Sequence, residues 1–213
     1  MVEIIPSINV PTFPEVQERI KRVEPYVTWC HLDVTDGIFS THPTWRNPED
    51  LTNLDTNLNV EVHLMVQRPE HIIDQWLVSP IKRTIVHIET SRDIDGIIER
   101  CHKAGIQIGI AINPDSPWEA LKPWIEKADI LQILAVSPGP SGQQMKPEIV
   151  DKIKHLRTCC LGCIIEADGG VNPETAKPLR EAGANLFVVG SAIFSSADIP
   201  IAIQVLRDEQ TGS

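Results

Sequence analysis

The chemistry this sequence could perform centres on two histidines and two aspartates. His31 and Asp33 lie in WCHLDVTDG, residues 29–37, His63 in VEVHLMV and Asp168 in IIEADGGV. Residues two apart on a strand share a face, so His31 and Asp33 leave their strand side by side. An imidazole beside a carboxylate is half of a divalent-metal site. His63 and Asp168, each near the end of another apolar run, are the candidates for the other half. Singly, each residue has a plainer use. A strand-end histidine is more often a packed or rim residue than a ligand, and Asp33 or Asp168-Gly169 could serve a turn. Asp36-Gly37 fits that turn role better than a ligand role.

Positioning these groups requires strands, and the sequence supplies them at regular intervals. Apolar, β-branched runs over 2–7, 27–33, 59–65, 84–88, 107–112, 130–136, 162–167 and 186–189 read as strands. Helical patterns over 13–23, 48–53, 69–77, 94–104, 117–127, 147–156, 173–182 and 197–207 alternate with them. Arg68-Pro69, Ser116-Pro117 and Asn172-Pro173 are polar-then-proline helix starts, and Ala104-Gly105 and Ala182-Gly183 are stops. Eight strand–helix units in 213 residues, with no linker or shift of composition, predict an α/β fold, a (β/α)8 TIM barrel with a single domain over 1–213. A doubly wound open sheet is the alternative, though it usually carries fewer strands at this length.

In such a barrel catalytic groups gather at the C-terminal ends of strands, with phosphate sites after strands 7 and 8. His31 and Asp33 close strand 2, His63 strand 3 and Asp168 strand 7, so all four reach one rim. That joint placement outweighs the plainer readings and predicts a metal site. Glycine-bearing turns follow strand 6 (SPGPSGQ, 137–143), strand 7 (Gly169-Gly170) and strand 8 (Gly190-Ser191). Backbone donors in such turns could cradle a phosphate without any cationic side chain.

Composition narrows the class. A net charge of −10 argues against nucleic acid or an anionic membrane as a partner. No apolar run reaches the ~18 residues of a spanning helix, and the N-terminus reads as a first strand rather than a signal peptide, so a cytoplasmic location is expected. The five cysteines form no paired framework, and the CxxC of Cys160 and Cys163 lacks partners for a zinc set, so they read as packing residues. His87 and Glu89, sharing a face at the end of strand 4, read as packing groups or as supports behind a ligand, with direct contact to a substrate as the lesser alternative. His71, His102 and His155 read as solvated helix residues, and the five tryptophans as scattered packing residues.

At the residues that carry this pattern the chain resembles the ribulose-phosphate 3-epimerase family, one of the ribulose-phosphate-binding barrels. IIPSI, HLDVTDGIF, VEVHLMV with the following RPE, AINPDSPWEAL, VSPGPSGQQM, EADGGVN and AGANLFVVGSAIF carry the likeness, in order, over nearly the whole length. The resemblance implies one divalent ion (Zn, Fe, Mn or Co) held by His31, Asp33, His63 and Asp168, with no organic cofactor. It implies Asp33 and Asp168 as the acid–base pair on opposite faces of a phosphorylated ketose. It places Ser7, His63 and Met65 near the substrate, and Gly139, Pro140, Ser141, Gly142, Gly169, Gly170, Gly190 and Ser191 along it, mostly at its phosphate. It also implies a homo-oligomer. Inverting C3 removes a proton beside a carbonyl and returns one to the other face, which calls for two carboxylates and a cation for the developing charge.

The chain departs from the family pattern at Thr35 and Leu134, where methionine is usual, and at Pro140 and Ser141, where the loop usually reads PGFGGQ. His42 and Arg46 stand where Asn and Gly are usual. These changes alter pocket walls, so they bear on substrate more than on reaction type. An epimerase of a hexulose phosphate such as allulose 6-phosphate, or a non-catalytic sugar-phosphate-binding barrel, are the alternatives. Related barrel lyases use a DxKxxD strand end, and Asp33-Val34-Thr35-Asp36 has no lysine.

Overall fold

The structure is a computed structural model and describes residues 2–207. Among the described residues eight parallel strands close into a barrel in sequence order: β1 (Glu3–Ile8), β2 (Trp29–Thr35), β3 (Asn59–Met65), β4 (Ile81–His87), β5 (Gln107–Ile112), β6 (Ile130–Leu134), β7 (Ile165–Asp168) and β8 (Leu186–Val189). Helices α1 (Phe13–Val23), α2 (Ile94–Lys103), α3 (Ile149–Cys159), α4 (Pro173–Ala182), α5 (Ser191–Phe194) and α6 (Ile199–Arg207) lie between and after them. This is the TIM barrel that the alternation predicts.

Strand alternation sorts side chains into two layers. Outward residues such as Leu32, Val62, Leu64, Ile108, Ile110, Ala167 and Phe187 pack with helix residues Val16, Ile20, Ile97, Ile153 and Leu179 into the main core. Each fully buried aliphatic chain there contributes roughly 1.5–3 kcal/mol. Inward residues divide by height. Ile5, Ile85, Ala111, Ile130, Leu186 and Val188 form a small apolar plug. Glu61, Arg83, Gln132, Glu166, His31, His63 and His87 are buried polar residues of the same inner face.

Three of the expected helices, over 48–53, 69–77 and 117–127, are 3₁₀ segments instead: Pro48–Asn53, Pro69–His71 with Ile73–Trp76, and Trp118–Trp124. The last contains Pro123, which lacks an N–H and whose ring opposes the carbonyl four residues back. The first two break up into segments of six, three and four residues. Strand 4 starts at Ile81 rather than 84, and strands 2 and 7 run on to Thr35 and Asp168.

The remaining corrections concern side chains. Cys160 and Cys163 are disulfide-bonded across the α3–β7 turn, their Cα atoms 5.5 Å apart, so the CxxC is more than packing. Trp45 and Trp76 meet edge to face at 5.8 Å, so these two are paired rather than scattered; His71, His102 and His155 are exposed, as expected, with His102 beside Asp129 and Trp118 stacked on His155. No helix among the described residues is long and apolar enough to cross a membrane.

Candidate active site

Register brings the four ligand-type residues together. Asp33 lies opposite His63 where β2 pairs with β3, Ser7 opposite His31 where β1 pairs with β2, and Leu134 opposite Asp168 where β6 pairs with β7. His31 Nε2 stands 3.3 Å from Asp33 Oδ1 and 4.0 Å from Asp168 Oδ2. His63 Nδ1 stands 3.5 Å from Asp33 Oδ1 and 3.2 Å from Asp168 Oδ2. All four atoms lie within 4.8 Å of one another. Ligand atoms about 2 Å from a common ion are about 3–4 Å apart, so the spacing suits one divalent cation. His31 Nε2 and His63 Nδ1 are buried with no hydrogen-bond partner. Two orphaned imidazole nitrogens aimed at two carboxylates are what a cation site needs and a packed core avoids.

The electrostatics agree. Burial would push both imidazoles down, yet the Asp33 and Glu61 carboxylates beside His31 hold it well above the usual range. Asp168 and Asp33 likewise raise His63. Burial works to raise the Asp33 carboxyl, but His31 and His63 hold it well below the usual carboxylate range.

Each of the four side chains is braced from outside the cluster. His31 Nδ1 meets Glu61 Oε1 at 2.7 Å, and Arg83 Nη1 donates to Glu61 Oε2 at 2.6 Å. Ser7 Oγ donates to Asp33 Oδ2 at 2.7 Å, with Asn9 Nδ2 at 3.4 Å. Gln132 Nε2 donates to both Asp168 Oδ2, 3.2 Å, and Glu166 Oε1, 3.1 Å. Burial and the nearby Glu61 charge hold the Glu166 carboxyl well above its usual range. His63 Nε2 meets His87 Nε2 at 2.8 Å.

Above the cluster, among the loops at the C-terminal ends of the strands, opens a narrow cleft. Ser7, Asp33, Met65, Gly139, Pro140, Ser141, Gly142, Asp168, Gly169, Gly170, Gly190 and Ser191 all line it, while His31 and His63 are fully buried. The loops after β6, β7 and β8 meet along one side. Gly170 has φ +68°, and a Cβ there would fall 2.5 Å from the Met145 backbone nitrogen. Asn172 and Thr175 form a reciprocal cap at the start of α4, and Thr175 Oγ1 also donates to the Gly170 carbonyl at 3.0 Å, which fixes this turn. Gln143 Nε2 closes the preceding loop by donating to the Ser137 and Pro140 carbonyls. No lysine or arginine lines the cleft among the described residues.

Comparison with known proteins places this arrangement. A model of the family described as "Ribulose-phosphate 3 epimerase family" matches residues 3–194. Proteins named ribulose-phosphate 3-epimerase are similar along their length: that of Bacillus subtilis is 32% identical, covering 97% of this chain and 99% of its own. That of Schizosaccharomyces pombe is 31% identical over 97% of this chain and 92% of its own. The chain belongs to the ribulose-phosphate 3-epimerase family. Among solved structures, 3-hexulose-6-phosphate synthase matches with a TM-score of 0.73 and 16% identity, covering 97% of this chain and 98% of its own. At that identity the likeness shows the barrel alone.

Against the family pattern, Leu134 lines the cleft but Thr35 does not. Thr35 instead pins the loop after β2: its Oγ1 donates to the His42 carbonyl at 2.7 Å and its N–H to Thr44 Oγ1 at 2.8 Å. Arg46 donates to the Asp36 carbonyl, and the Asp36 carboxylate accepts from the backbone of Ile38, Phe39 and Gln67. Asp36 is therefore turn chemistry, as its dipeptide suggests. The sequence reading of this epimerase-family chain missed Asn9, Glu61, Arg83, Gln132 and Glu166. Glu61 and Glu166 sit two residues before His63 and Asp168, so strand alternation alone could have found them.

Proposed function

We propose that the protein inverts C3 of a 2-ketose phosphate, converting D-ribulose 5-phosphate to D-xylulose 5-phosphate. The observation that carries this is the pairing of Asp33 and Asp168, on strands separated by β1 and β8, across one cluster at the floor of the cleft. Two carboxylates that approach a bound substrate from different sides can exchange roles, one taking the C3 proton and the other returning one to the opposite face. Asp33, kept ionised by His31 and His63, suits the accepting role, and Ser7 fixes its second oxygen. A divalent ion held by His31, Asp33, His63 and Asp168 would offset the negative charge that gathers on the substrate oxygens when the proton leaves.

The sugar phosphate lies with its anionic end at the glycine turns after β6, β7 and β8. Backbone N–H groups and the Ser141 and Ser191 hydroxyls serve there, because the cleft offers no cationic side chain. Retention of both carboxylates favours an enzyme over a binding module, which has no use for a proton-transfer pair.

The test is to assay Asp33→Asn and Asp168→Asn with D-ribulose 5-phosphate. Each variant should lose on the order of 10²–10⁴ in kcat, the scale of positioned acid–base catalysis, while keeping the circular dichroism of the parent. Substantial activity in either would remove that residue from the proton-transfer role. A parent protein active only on a hexulose phosphate would overturn the five-carbon assignment and keep the mechanism.

A further inference from the structure

We infer that Glu89 and His87 are positioning residues that fix the ring tautomer of His63, so that its Nδ1 is left free for a cation. This rests on reading His31, Asp33, His63 and Asp168 as a divalent-cation site.

The geometry runs in one direction. Glu89 follows β4 and accepts from the backbone N–H of Asn113 at 2.7 Å and from the Ser116 hydroxyl, so the loop after β5 holds its Oε1. Its other oxygen faces His87 Nδ1 at 3.3 Å. A carboxylate can only accept, so His87 Nδ1 carries the proton. His87 is fully buried, with the Phe39 ring 4.7 Å away from its own. As a neutral imidazole protonated on Nδ1, it presents a bare Nε2. That atom lies 2.8 Å from His63 Nε2. Two bare nitrogens at this distance would repel, so His63 donates through Nε2–H.

The ring arrangement fits a directed bond. The His63 and His87 planes differ by only 17° and their centroids are 5.0 Å apart, which is the nitrogen separation plus the two ring radii. The rings therefore meet edge to edge, in plane, rather than face to face. With its proton held at Nε2, a neutral His63 has its lone pair at Nδ1, the buried atom without a partner that faces Asp33 and Asp168. Glu61 acts on His31 in the mirror sense, meeting Nδ1 and leaving Nε2 for the cluster. His63 has no carboxylate behind it. His87 relays one, from Glu89, across one more ring.

The experiment uses zinc-loaded parent protein with ¹⁵N-labelled histidines. Imidazole correlation spectra should show His63 protonated at Nε2 and His87 at Nδ1; a proton on His87 Nε2 would overturn the inference. Cobalt(II) titrations followed by visible absorption supply the second readout. His87→Phe keeps an aromatic ring but no acceptor, and should weaken cobalt binding about 10–100-fold, the usual effect of losing such a partner. His87→Gln, whose amide oxygen can accept in place of Nε2, should restore most of it. Equal cobalt affinity in the parent and His87→Phe overturns the relay while leaving the cation site standing. No cobalt uptake by the parent overturns both.

Discussion

At the scale of single residues, protons and a cation compete for the same two nitrogens. His31 and His63 are both raised above the ordinary imidazole range, so without a cation each holds a proton more firmly than a free imidazole does. A divalent ion needs them neutral, so its uptake releases protons and its affinity must climb as pH rises toward that raised range. Calorimetric titration with zinc in buffers of different ionisation enthalpy should therefore show proton release, more at pH 6 than at pH 8. A pH-independent affinity would contradict the cluster's electrostatics. The same shifts govern the metal-free fold. Raised histidines stabilise it below the ordinary imidazole range, and that contribution is lost as pH rises through their raised values. Asp33, held low, stabilises it above the ordinary carboxylate range, and that contribution is lost as pH falls through its lowered value. The four cluster residues were legible in the sequence because strand ends expose ligand chemistry. Gln132 and Arg83 were not, since a single polar residue in an apolar run gives no sign of whether it faces helix or barrel axis.

At the scale of elements, the glycine turns hold the cleft's wall at close quarters. Gly170→Ala forces a side chain into the left-handed region, costing about 1–2 kcal/mol, and sets its Cβ against Met145. Denaturant titration should register at least that loss, and the variant's KM for the sugar phosphate should rise because the turn after β7 must move. Gly162→Ala, where nothing lies within 4 Å and φ is not positive, should change neither by a measurable amount. An unchanged KM in Gly170→Ala would remove that turn from phosphate binding. Strands and the long helices were legible from apolar periodicity. The 3₁₀ segments were not, because i+3 and i+4 bonding share one hydrophobic pattern over one or two turns. Only Pro123 in Trp118–Trp124 carried a warning.

At the scale of the whole molecule, the barrel separates stability from chemistry. The Cys160–Cys163 disulfide closes the turn that leads into the N-terminal end of β7, whereas Asp168 lies at the strand's other end. Closing so short a loop is worth about 2 kcal/mol by chain entropy, so Cys163→Ser should lower stability by up to that amount and leave kcat/KM unchanged. A large loss of activity would mean the two ends are coupled. The barrel's order and closure followed from counting strand–helix units, whereas the disulfide needed the turn geometry that sets two Cα atoms 5.5 Å apart. Proton exchange with solvent at C3 between two carboxylates is read directly by proton NMR in D₂O. Metal-loaded protein with D-ribulose 5-phosphate should give D-xylulose 5-phosphate carrying deuterium at C3 from the first turnovers. Xylulose 5-phosphate that keeps its protium there, or no exchange and no product from folded, metal-loaded protein, would contradict it.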